Sequence, residues 1–304
     1  MRAIKRFIVT AMLAVALGTA GAQAQQPVVV SSKIDTEGSV LGQLIIQTLN
    51  AHDVPTDNRL QLGGTSIVRG AIKAGEIDLY PEYTGNGAFF FDRADQPGWN
   101  DAETAYETVR QLDRERNDLV WLQPAPANNT WAMSVRQDLA DREGLETLDD
   151  LADYLNNGGE FRFAASAEFV DSESALPAFQ QAYGFELSAD ELLVLSGGDT
   201  AATLRAAAQS DNDVNGAMTY GTDGGVSALG LAVLDDNRGV QPVYQPAPVV
   251  RASVLEAYPA IADHLDPLFA ALDLETLQSL NARVAVEGQP AREVAADFLE
   301  QLNR

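Results

Sequence analysis

The residue types that most often carry out chemistry are few in this chain, and they do not form a known catalytic pattern. The sequence has no cysteine, so it offers no disulfide, no thiolate metal site and no cysteine nucleophile. Its two histidines, His52 and His264, lack a histidine or cysteine partner at ligand spacing, and we interpret both as surface or interfacial residues. G-x-S-x-G, S-x-x-K and P-loop motifs are absent. We therefore expect a protein that is not an enzyme and needs no metal or cofactor.

Two short stretches invite a ligand-binding interpretation that we do not adopt. Asp211, Asp213 and Gly216 match the first half of a calcium-binding EF-hand loop, but Thr222 stands where a bidentate glutamate is required. We interpret that stretch as a solvated turn before a strand. The sequence Gly63-Gly64-Thr65 before a helix could present backbone amides to an anion, but such a pair more often makes a tight strand-to-helix turn.

Aromatic residues are more informative than the titratable ones. Five of them lie at or beside the ends of predicted strands, namely Tyr80, Tyr83, Trp131, Tyr220 and Tyr244. In an open α/β sheet, ligands bind where the carboxyl ends of the strands and their loops converge. Electron-rich rings gathered there would suit a quaternary ammonium group, which is held by cation–π attraction. Taken one at a time, the same rings could be ordinary core or interface residues.

The elements that must position these rings alternate along the chain. Short β-branched or apolar runs predict strands, and apolar residues with a helical period predict helices. The predicted strands are residues 28–30, 60–62, 77–80, 119–122, 161–165, 192–195 and 214–220, and the predicted helices are 38–50, 67–72, 175–183, 200–209 and much of the chain from 253 onward. This β-loop-α-β order predicts an α/β fold with mostly parallel sheets and crossover helices.

Two segments are candidate crossings between lobes. One is the proline-rich polar stretch at residues 123–130, and the other lies at residues 235–239, before an extended segment at 241–250. Two crossings indicate that the middle of the chain forms one lobe inserted into another. We predict a first lobe from residues 25–127 plus 238–304 and a second lobe from residues 128–237.

The N-terminal residues have the pattern of a cleaved secretory signal. Arg2, Lys5 and Arg6 are followed by an apolar run at 7–17 and by Ala22-Gln23-Ala24, a small-x-small site. The apolar run is too short to span a bilayer, and no cysteine is available for a lipid anchor. We expect residues 1–24 to be removed and the mature protein to diffuse freely in the periplasm.

The charge balance excludes two classes of partner. The chain has 20 Lys plus Arg against 44 Asp plus Glu, and its net charge of −24 becomes −27 once the three basic signal residues are removed. Such a surface repels nucleic-acid backbones and anionic lipid. Lysine is almost absent after the signal segment, where only Lys33 and Lys73 occur.

Three sequence blocks carry a family resemblance. They are Ser31-Ser32-Lys33-Ile34-Asp35-Thr36-Glu37, the stretch from Gly63-Gly64-Thr65 through Gly75-Glu76-Ile77-Asp78-Leu79-Tyr80-Pro81-Glu82-Tyr83-Thr84-Gly85, and Tyr220-Gly221-Thr222-Asp223-Gly224. The blocks resemble the glycine betaine/choline-type solute-binding proteins of ABC importers. Tyr258-Pro259, Leu280-Asn281 and Val286-Glu287-Gly288 also fit, and residues 124–131 and 164–169 look most similar to the low-affinity, YehZ/OsmF-like branch.

The resemblance implies a fold and a ligand site. The fold is that of a type II-like periplasmic binding protein, in which two α/β lobes close on solute in the cleft between them. The implied ligand-binding residues are Lys33, Tyr83, Asn86, Asn129, Trp131, Ser172, Tyr220, Thr222, Asp223 and Tyr244. The four aromatic rings would surround a methylated ammonium group, with Asn129 beside it, while Lys33 and the neighbourhood of Asn86 would meet a carboxylate.

The sequence also departs from the family at three of these positions. Ser172 stands where relatives carry an arginine for the carboxylate, Asn129 where an aspartate is common, and Asn86 where a threonine is common. The lost arginine contact would be worth very roughly 1.5–3 kcal/mol. We therefore predict weak glycine betaine binding, or a different cationic ligand such as choline.

The function that follows is a monomeric periplasmic component that delivers a quaternary ammonium osmolyte to the membrane permease of an ABC importer. Three alternatives remain open on the sequence. The chain could bind another polar solute such as an amino acid, it could be the partner of a sensor, or it could be a secreted hydrolase whose catalytic residues escape motif searches.

Overall fold

The structure is a computed structural model that describes residues 26–195 and 200–302 of the 304-residue chain. The predicted signal segment, residues 1–24, lies outside the described residues. Within the two described ranges, no helix combines the length and the apolar character that are needed to cross a bilayer.

Ten strands and fourteen helices are formed within the described ranges. The strands are β1 (Val28–Lys33), β2 (Thr56–Gly63), β3 (Leu79–Tyr83), β4 (Leu119–Trp121), β5 (Trp131–Arg136), β6 (Phe163–Ser166), β7 (Leu192–Leu195), β8 (Gly216–Tyr220), β9 (Leu231–Val233) and β10 (Pro246–Arg251). The helices are α1 (Thr36–Ala51), α2 (Thr65–Ala74), α3 (Gly87–Phe90), α4 (Ala102–Asn117), α5 (Gln137–Glu143), α6 (Leu148–Asn156), α7 (Ala167–Asp171), α8 (Leu176–Tyr183), α9 (Thr200–Gln209), α10 (Gly225–Ala228), α11 (Ala252–Ala257), α12 (Ile261–Ala270), α13 (Leu274–Ala285) and α14 (Ala291–Leu302).

The boundaries of the first two helices follow from local chemistry. Helix α1 begins after Asp35, whose side chain accepts a hydrogen bond from the Gly38 backbone N–H at 2.5 Å, because a side-chain acceptor satisfies an otherwise unpaired amide at a helix start. Helix α2 ends at Gly75, which adopts the left-handed conformation with φ 75°. The predicted helix at 38–50 and the predicted stop at Gly75 are both confirmed.

Two five-stranded sheets organise the chain, with strand orders β2-β1-β3-β10-β4 and β7-β6-β8-β5-β9. In each sheet four strands run in one direction, and β10 or β5 runs against them. The prediction of mostly parallel sheets is therefore confirmed, although it did not specify the one antiparallel strand in each. The physical reason is that β5 and β10 are the strands that the chain enters directly after crossing from the other sheet, so they arrive from the opposite end.

The predicted strand at 214–220 begins later than the sequence suggested. Residues Asp211–Asp213 form a 3₁₀ turn in which Asn212 and Asp213 have positive φ, and β8 begins at Gly216. The half-matched calcium motif is therefore a turn that leads into a strand, as interpreted from the sequence.

Each sheet is buried between helices, so each lobe has its own apolar core. We call the sheet containing β1 and the helices packed on it the first lobe, and the sheet containing β5 with its helices the second lobe. In the first lobe, Leu44 and Phe269 are fully buried on one face and Trp121 on the other. In the second lobe, Phe163 and Phe179 are fully buried. The exact lobe boundaries given above remain a prediction.

The two histidines meet in the folded chain although the sequence separates them widely. His52 follows α1 and His264 lies on α12, and their rings stack with centroids 3.9 Å apart and planes inclined by 21°. His52 is exposed, and its Nδ1–H donates to the Thr48 carbonyl, 2.8 Å away. The pair joins two helices of the first lobe and lies outside the cleft described next.

Candidate functional site

A cleft of about 1300 Å³ lies between the two lobes. The structure brings all ten residues of the predicted site to its walls, while Tyr80 is buried in the core of the first lobe instead. The cleft residues are contributed by strand ends, by the two crossings and by the first turns of helices. Ligand contact by the ten residues remains a prediction.

The floor on the first lobe is built around a buried ion pair. Lys33 Nζ donates to Glu82 Oε1 at 2.6 Å, and the Glu82 side chain is fully buried. Glu82 also accepts hydrogen bonds from the Tyr83 backbone N–H at 2.7 Å, from Asn86 Nδ2 at 2.8 Å and from the Tyr80 hydroxyl at 3.1 Å. Lys33 and Asn86, the two residues expected to meet a ligand carboxylate, are therefore already bonded to a carboxylate of the protein.

Tyr83 is held tightly below the cleft surface. Its side chain is buried, its hydroxyl donates to Glu37 Oε1 at 2.6 Å, and the Lys33 ammonium lies 4.5 Å from its ring centroid. One face of the ring is thus occupied by a cation of the protein itself. Tyr83 is consequently the least available of the four rings assigned to the cage.

Glu37 is a central residue of the site that the sequence did not single out. It lies in the first turn of α1, is 6% exposed, and accepts from Asn129 Nδ2 at 3.1 Å and from Asn281 Nδ2 at 2.7 Å in addition to Tyr83. Burial raises the pKa of the Glu37 carboxyl above its ordinary value, and hydrogen bonds led by that from Thr222 oppose the rise. The available signal was its place in the first of the three blocks.

The wall on the second lobe is aromatic. Trp131 on β5 is directly paired with Tyr220 on β8, and their rings stack with centroids 6.5 Å apart and planes inclined by 28°. Phe169 from α7 packs edge-on against Trp131 at 5.8 Å and fixes its orientation. Burial raises the pKa of Tyr220, so its phenol stays neutral and the ring remains a π surface.

Tyr244 reaches the cleft from the connection between β9 and β10, which leads from the second sheet back to the first. Its backbone N–H donates to Asn128 Oδ1 at 2.8 Å, and its carbonyl accepts from the Asn129 N–H at 3.0 Å, so the two segments that connect the lobes are hydrogen-bonded to each other. A Cβ at Gly85 would lie 2.8 Å from the Tyr244 ring, which explains why glycine stands at that position. Burial raises the pKa of Tyr244 to about 12.

The loop after β8 carries two further predicted residues, Thr222 and Asp223, and touches the first lobe. Asp223 accepts from the Tyr220 N–H at 2.8 Å and from Thr219 Oγ1 at 3.0 Å, which shapes the loop. The Thr222 carbonyl accepts from Asn281 Nδ2 of α13 at 2.9 Å. Asn281 therefore bonds both to this loop and to Glu37, and connects the two lobes.

The charges of the cleft favour a cation. In the part of the lining that the structure describes, the basic residues are Lys33 and Arg205, and the acidic residues are Asp35, Glu37, Glu168 and Asp223. Ser172, where an arginine was expected from the family, is neutral and bonds Ser174 Oγ at 3.0 Å. Because Glu82 pairs with Lys33, the described walls are negative on balance.

A family model described as the substrate-binding domain of the ABC-type glycine betaine transport system (OpuAC) matches residues 26–301. The chain belongs to this family. It is 60% identical to the glycine betaine-binding protein YehZ of Escherichia coli K12 over 279 residues, which cover 92% of each chain. It is 32% identical to the glycine-betaine-binding protein of Pseudomonas aeruginosa PAO1 over 94% of this chain and 91% of that protein.

The structural comparison agrees with the OpuAC assignment. The structure of apo YehZ from E. coli superimposes with a TM-score of 0.87 and covers 90% of this chain and 98% of that chain, at 60% sequence identity. The predicted two-lobed α/β fold and the family resemblance are therefore confirmed. The family is one of periplasmic binding proteins, and membership implies a small-molecule ligand and permease partners.

Proposed function

We propose that this OpuAC-family chain binds a quaternary ammonium osmolyte such as glycine betaine or choline in the periplasm and delivers it to the permease of an ABC importer. The observation that carries the proposal is the paired Trp131 and Tyr220 wall that faces a negatively charged cleft together with Tyr244. Electron-rich rings in an acidic cleft attract a methylated cation that has no hydrogen to donate. The proteins named above as glycine betaine-binding support the same ligand class.

Binding would proceed by closure of the two lobes rather than by chemistry. The ammonium group would lie against Trp131, Tyr220 and Tyr244, and closure would remove it from water, which strengthens cation–π attraction. Membership of a substrate-binding family and the glycine betaine-binding relatives support binding without turnover. We accordingly propose a binding protein, not an enzyme, that acts as a monomer after removal of its signal segment.

The carboxylate end of glycine betaine would be held weakly. Lys33 and Asn86 both donate to Glu82, so a ligand carboxylate would have to share these donors with a buried carboxylate. Ser172 offers a hydroxyl in place of a guanidinium, and hydrogen bonds between neutral groups are about half as strong as charge-assisted ones. Choline has a hydroxyl in place of the carboxylate, so neither feature would weaken its binding.

Calorimetry on the chain without residues 1–24 tests the proposal. Glycine betaine, choline, carnitine and proline are titrated into the wild type, Trp131→Ala and Tyr220→Ala, with Tyr154→Ala as a control because Tyr154 is a second-lobe tyrosine outside the cleft. We expect micromolar or weaker binding of the quaternary amines, lost in the two cleft variants and kept in the control. Binding of proline alone would instead favour a polar-solute or amino-acid binder, and submicromolar glycine betaine affinity would contradict weak carboxylate binding.

A further inference from the structure

Glu37 is a buried carboxylate in the cleft wall that has no cation of its own. Its side chain accepts from Tyr83, Asn129 and Asn281, and in the described chain none of the ion pairs includes it. Neutral donors offset part of the cost of burying a negative charge, but a buried charge ordinarily also requires a counter-charge or a bound proton.

Among the described residues, the groups around Glu37 include no such counter-charge. Asp35, which caps the start of its helix, is negative and raises the Glu37 pKa further. From β3, Tyr83 faces it, and the Lys33 ammonium beyond that ring is bonded to Glu82. The other neighbours, on the first crossing, α13 and the loop after β8, are the neutral side chains of Asn129, Asn281 and Thr222. The start of α1 contributes only the partial positive charge of a helix N-terminus.

The two amides beside Glu37 are incompletely satisfied. Asn129 Oδ1 and Asn281 Oδ1 are buried, and neither has a hydrogen-bond partner among the described residues. Asn281 is fixed by its second bond, to the Thr222 carbonyl, whereas the Asn129 side chain bonds Glu37 and the neighbouring Tyr83 side chain. Rotation of the Asn129 amide by half a turn would present Oδ1 to a protonated carboxyl group, which can donate. The site can therefore accommodate Glu37 with or without its proton.

We propose that Glu37 is the counter-charge of the bound ammonium group and that binding a quaternary ammonium ion releases a proton from this carboxyl group. The inference rests on the ligand class proposed above. In the unliganded cleft the proton neutralises a buried carboxylate, and in the complex the fixed positive charge of the ligand takes over that role. The proton leaves to solvent, and no covalent bond of the ligand is made or broken.

The direction of the pH effect follows from linkage. A nearby cation stabilises the ionised carboxylate and lowers its pKa, so the complex binds fewer protons than the unliganded protein. Affinity is then highest well above the unliganded pKa of Glu37 and decreases as the pH falls through it. A quaternary ammonium group cannot lose its charge, and choline has no other group that titrates between weakly acidic and neutral pH, so the effect reports on the protein.

Proton release on choline binding is measured by calorimetry at about pH 6 in two buffers of different ionisation enthalpy, and the affinity is measured from about pH 5 to pH 8. We expect release of a fraction of a proton and an affinity that rises roughly three- to tenfold over this range, because the complex binds fewer protons than the unliganded protein. In Glu37→Gln we expect neither effect, and an affinity near that of the wild type at acidic pH. Glu256→Gln is the matched control, because Glu256 is an exposed glutamate of α11 outside the cleft, and it should bind choline as the wild type does.

The outcomes separate this inference from the proposed function. Choline binding with no proton release and a flat pH profile would overturn the role of Glu37 and leave the ligand class intact. Proton release that persists unchanged in Glu37→Gln would also overturn it. Failure of every quaternary amine to bind would remove the proposed function and this inference with it. Should Glu37→Gln fail to fold, the two-buffer measurement on the wild type still decides whether a proton leaves.

Discussion

Lys33 Nζ lies 2.6 Å from Glu82 Oε1 and 4.5 Å from the ring centroid of Tyr83. One lysine therefore neutralises a fully buried carboxylate and occupies the face of a ring that would otherwise be available to a ligand cation. The sequence predicts Lys33 to be a contact for the ligand, whereas the structure shows it committed to the protein. We expect the strength of glycine betaine binding to depend on how far this ammonium group is available to a second carboxylate.

Replacing Glu82 by glutamine should free the Lys33 ammonium for a ligand. The variant leaves a buried cation without its partner, so we expect the free energy of unfolding to fall by about 3–5 kcal/mol. Glycine betaine can compensate for this loss with its own carboxylate, but choline cannot. Thermal unfolding with each ligand should show a larger stabilisation by glycine betaine than in the wild type, and an unchanged or smaller one by choline. Equal responses to the two ligands would contradict the assigned role of the pair.

Local signals in the sequence made the positions of the helices and strands predictable. No local signal predicted the charge network of the site. The Asp35 cap and the Gly75 stop are read from adjacent residues, and aromatic residues at strand ends converge because parallel strands end at one edge. Glu37 and Asn281 meet only in the folded chain, through a contact between α1 and α13. No local pattern marks such a pair, and the direction in which β5 and β10 enter their sheets depends equally on the path of the whole chain.

Gly224 should be intolerant of a side chain because the loop after β8 lies directly on α13. A Cβ at this position would lie 2.1 Å from the Ala282 backbone N and 2.4 Å from the Asn281 carbonyl carbon, and backbone atoms cannot move away cheaply. We expect Gly224→Ala to reduce the free energy of unfolding by about 1–3 kcal/mol. We also expect it to weaken ligand binding, because a displaced loop would break the hydrogen bond between Asn281 and the Thr222 carbonyl.

The control for Gly224 is Gly70→Ala. Gly70 lies within α2, is exposed, and has no atom within 4 Å of an added Cβ. Because alanine favours the helix over glycine, this variant should be stabilised by about 0.5–1 kcal/mol. Chemical denaturation of both variants measures the difference in the free energy of unfolding. A Gly224→Ala protein as stable as the wild type would show that the contact between the loop after β8 and α13 does not stabilise the packing of the two lobes.

A second buried ion pair should govern the stability of the first lobe without affecting the ligand. Arg69 donates to both carboxylate oxygens of Asp113, at 2.8 and 2.5 Å, and the Trp121 indole donates to the same carboxylate at 2.7 Å. Arg69→Met leaves a buried carboxylate without its cation, so we expect a loss of about 3–5 kcal/mol in the free energy of unfolding.

The comparison for Arg69 is Arg142→Met, which removes an exposed pair with Glu143. Surface pairs contribute about 0–1 kcal/mol, so this variant should unfold close to the wild type in a denaturant titration. Choline affinity should stay within about twofold of the wild type in both variants, because Arg69 and Arg142 lie outside the cleft and Arg69 reaches Glu82 only through Tyr80. A large loss of affinity in Arg69→Met would show that the pair also positions the cleft.

The stability of the unliganded protein should carry a pH signature of Glu37. Its folded pKa is raised, chiefly by burial, so near that pKa the folded chain binds more protons than the unfolded chain. The stability that Glu37 contributes therefore increases as the pH falls through its folded pKa, and is lost as the pH rises above that pKa.

Carboxyl groups with lowered pKa, such as Asp101 and Asp273, change the stability in the opposite direction, so the effect of Glu37 must be measured as a difference between two proteins. The free energy of unfolding of the wild type, minus that of Glu37→Gln, should grow as the pH falls from neutral toward 4.5, the ordinary pKa of a glutamate. A Glu37 difference that stays constant or shrinks on acidification would show that this carboxyl group remains ionised in the folded, unliganded protein.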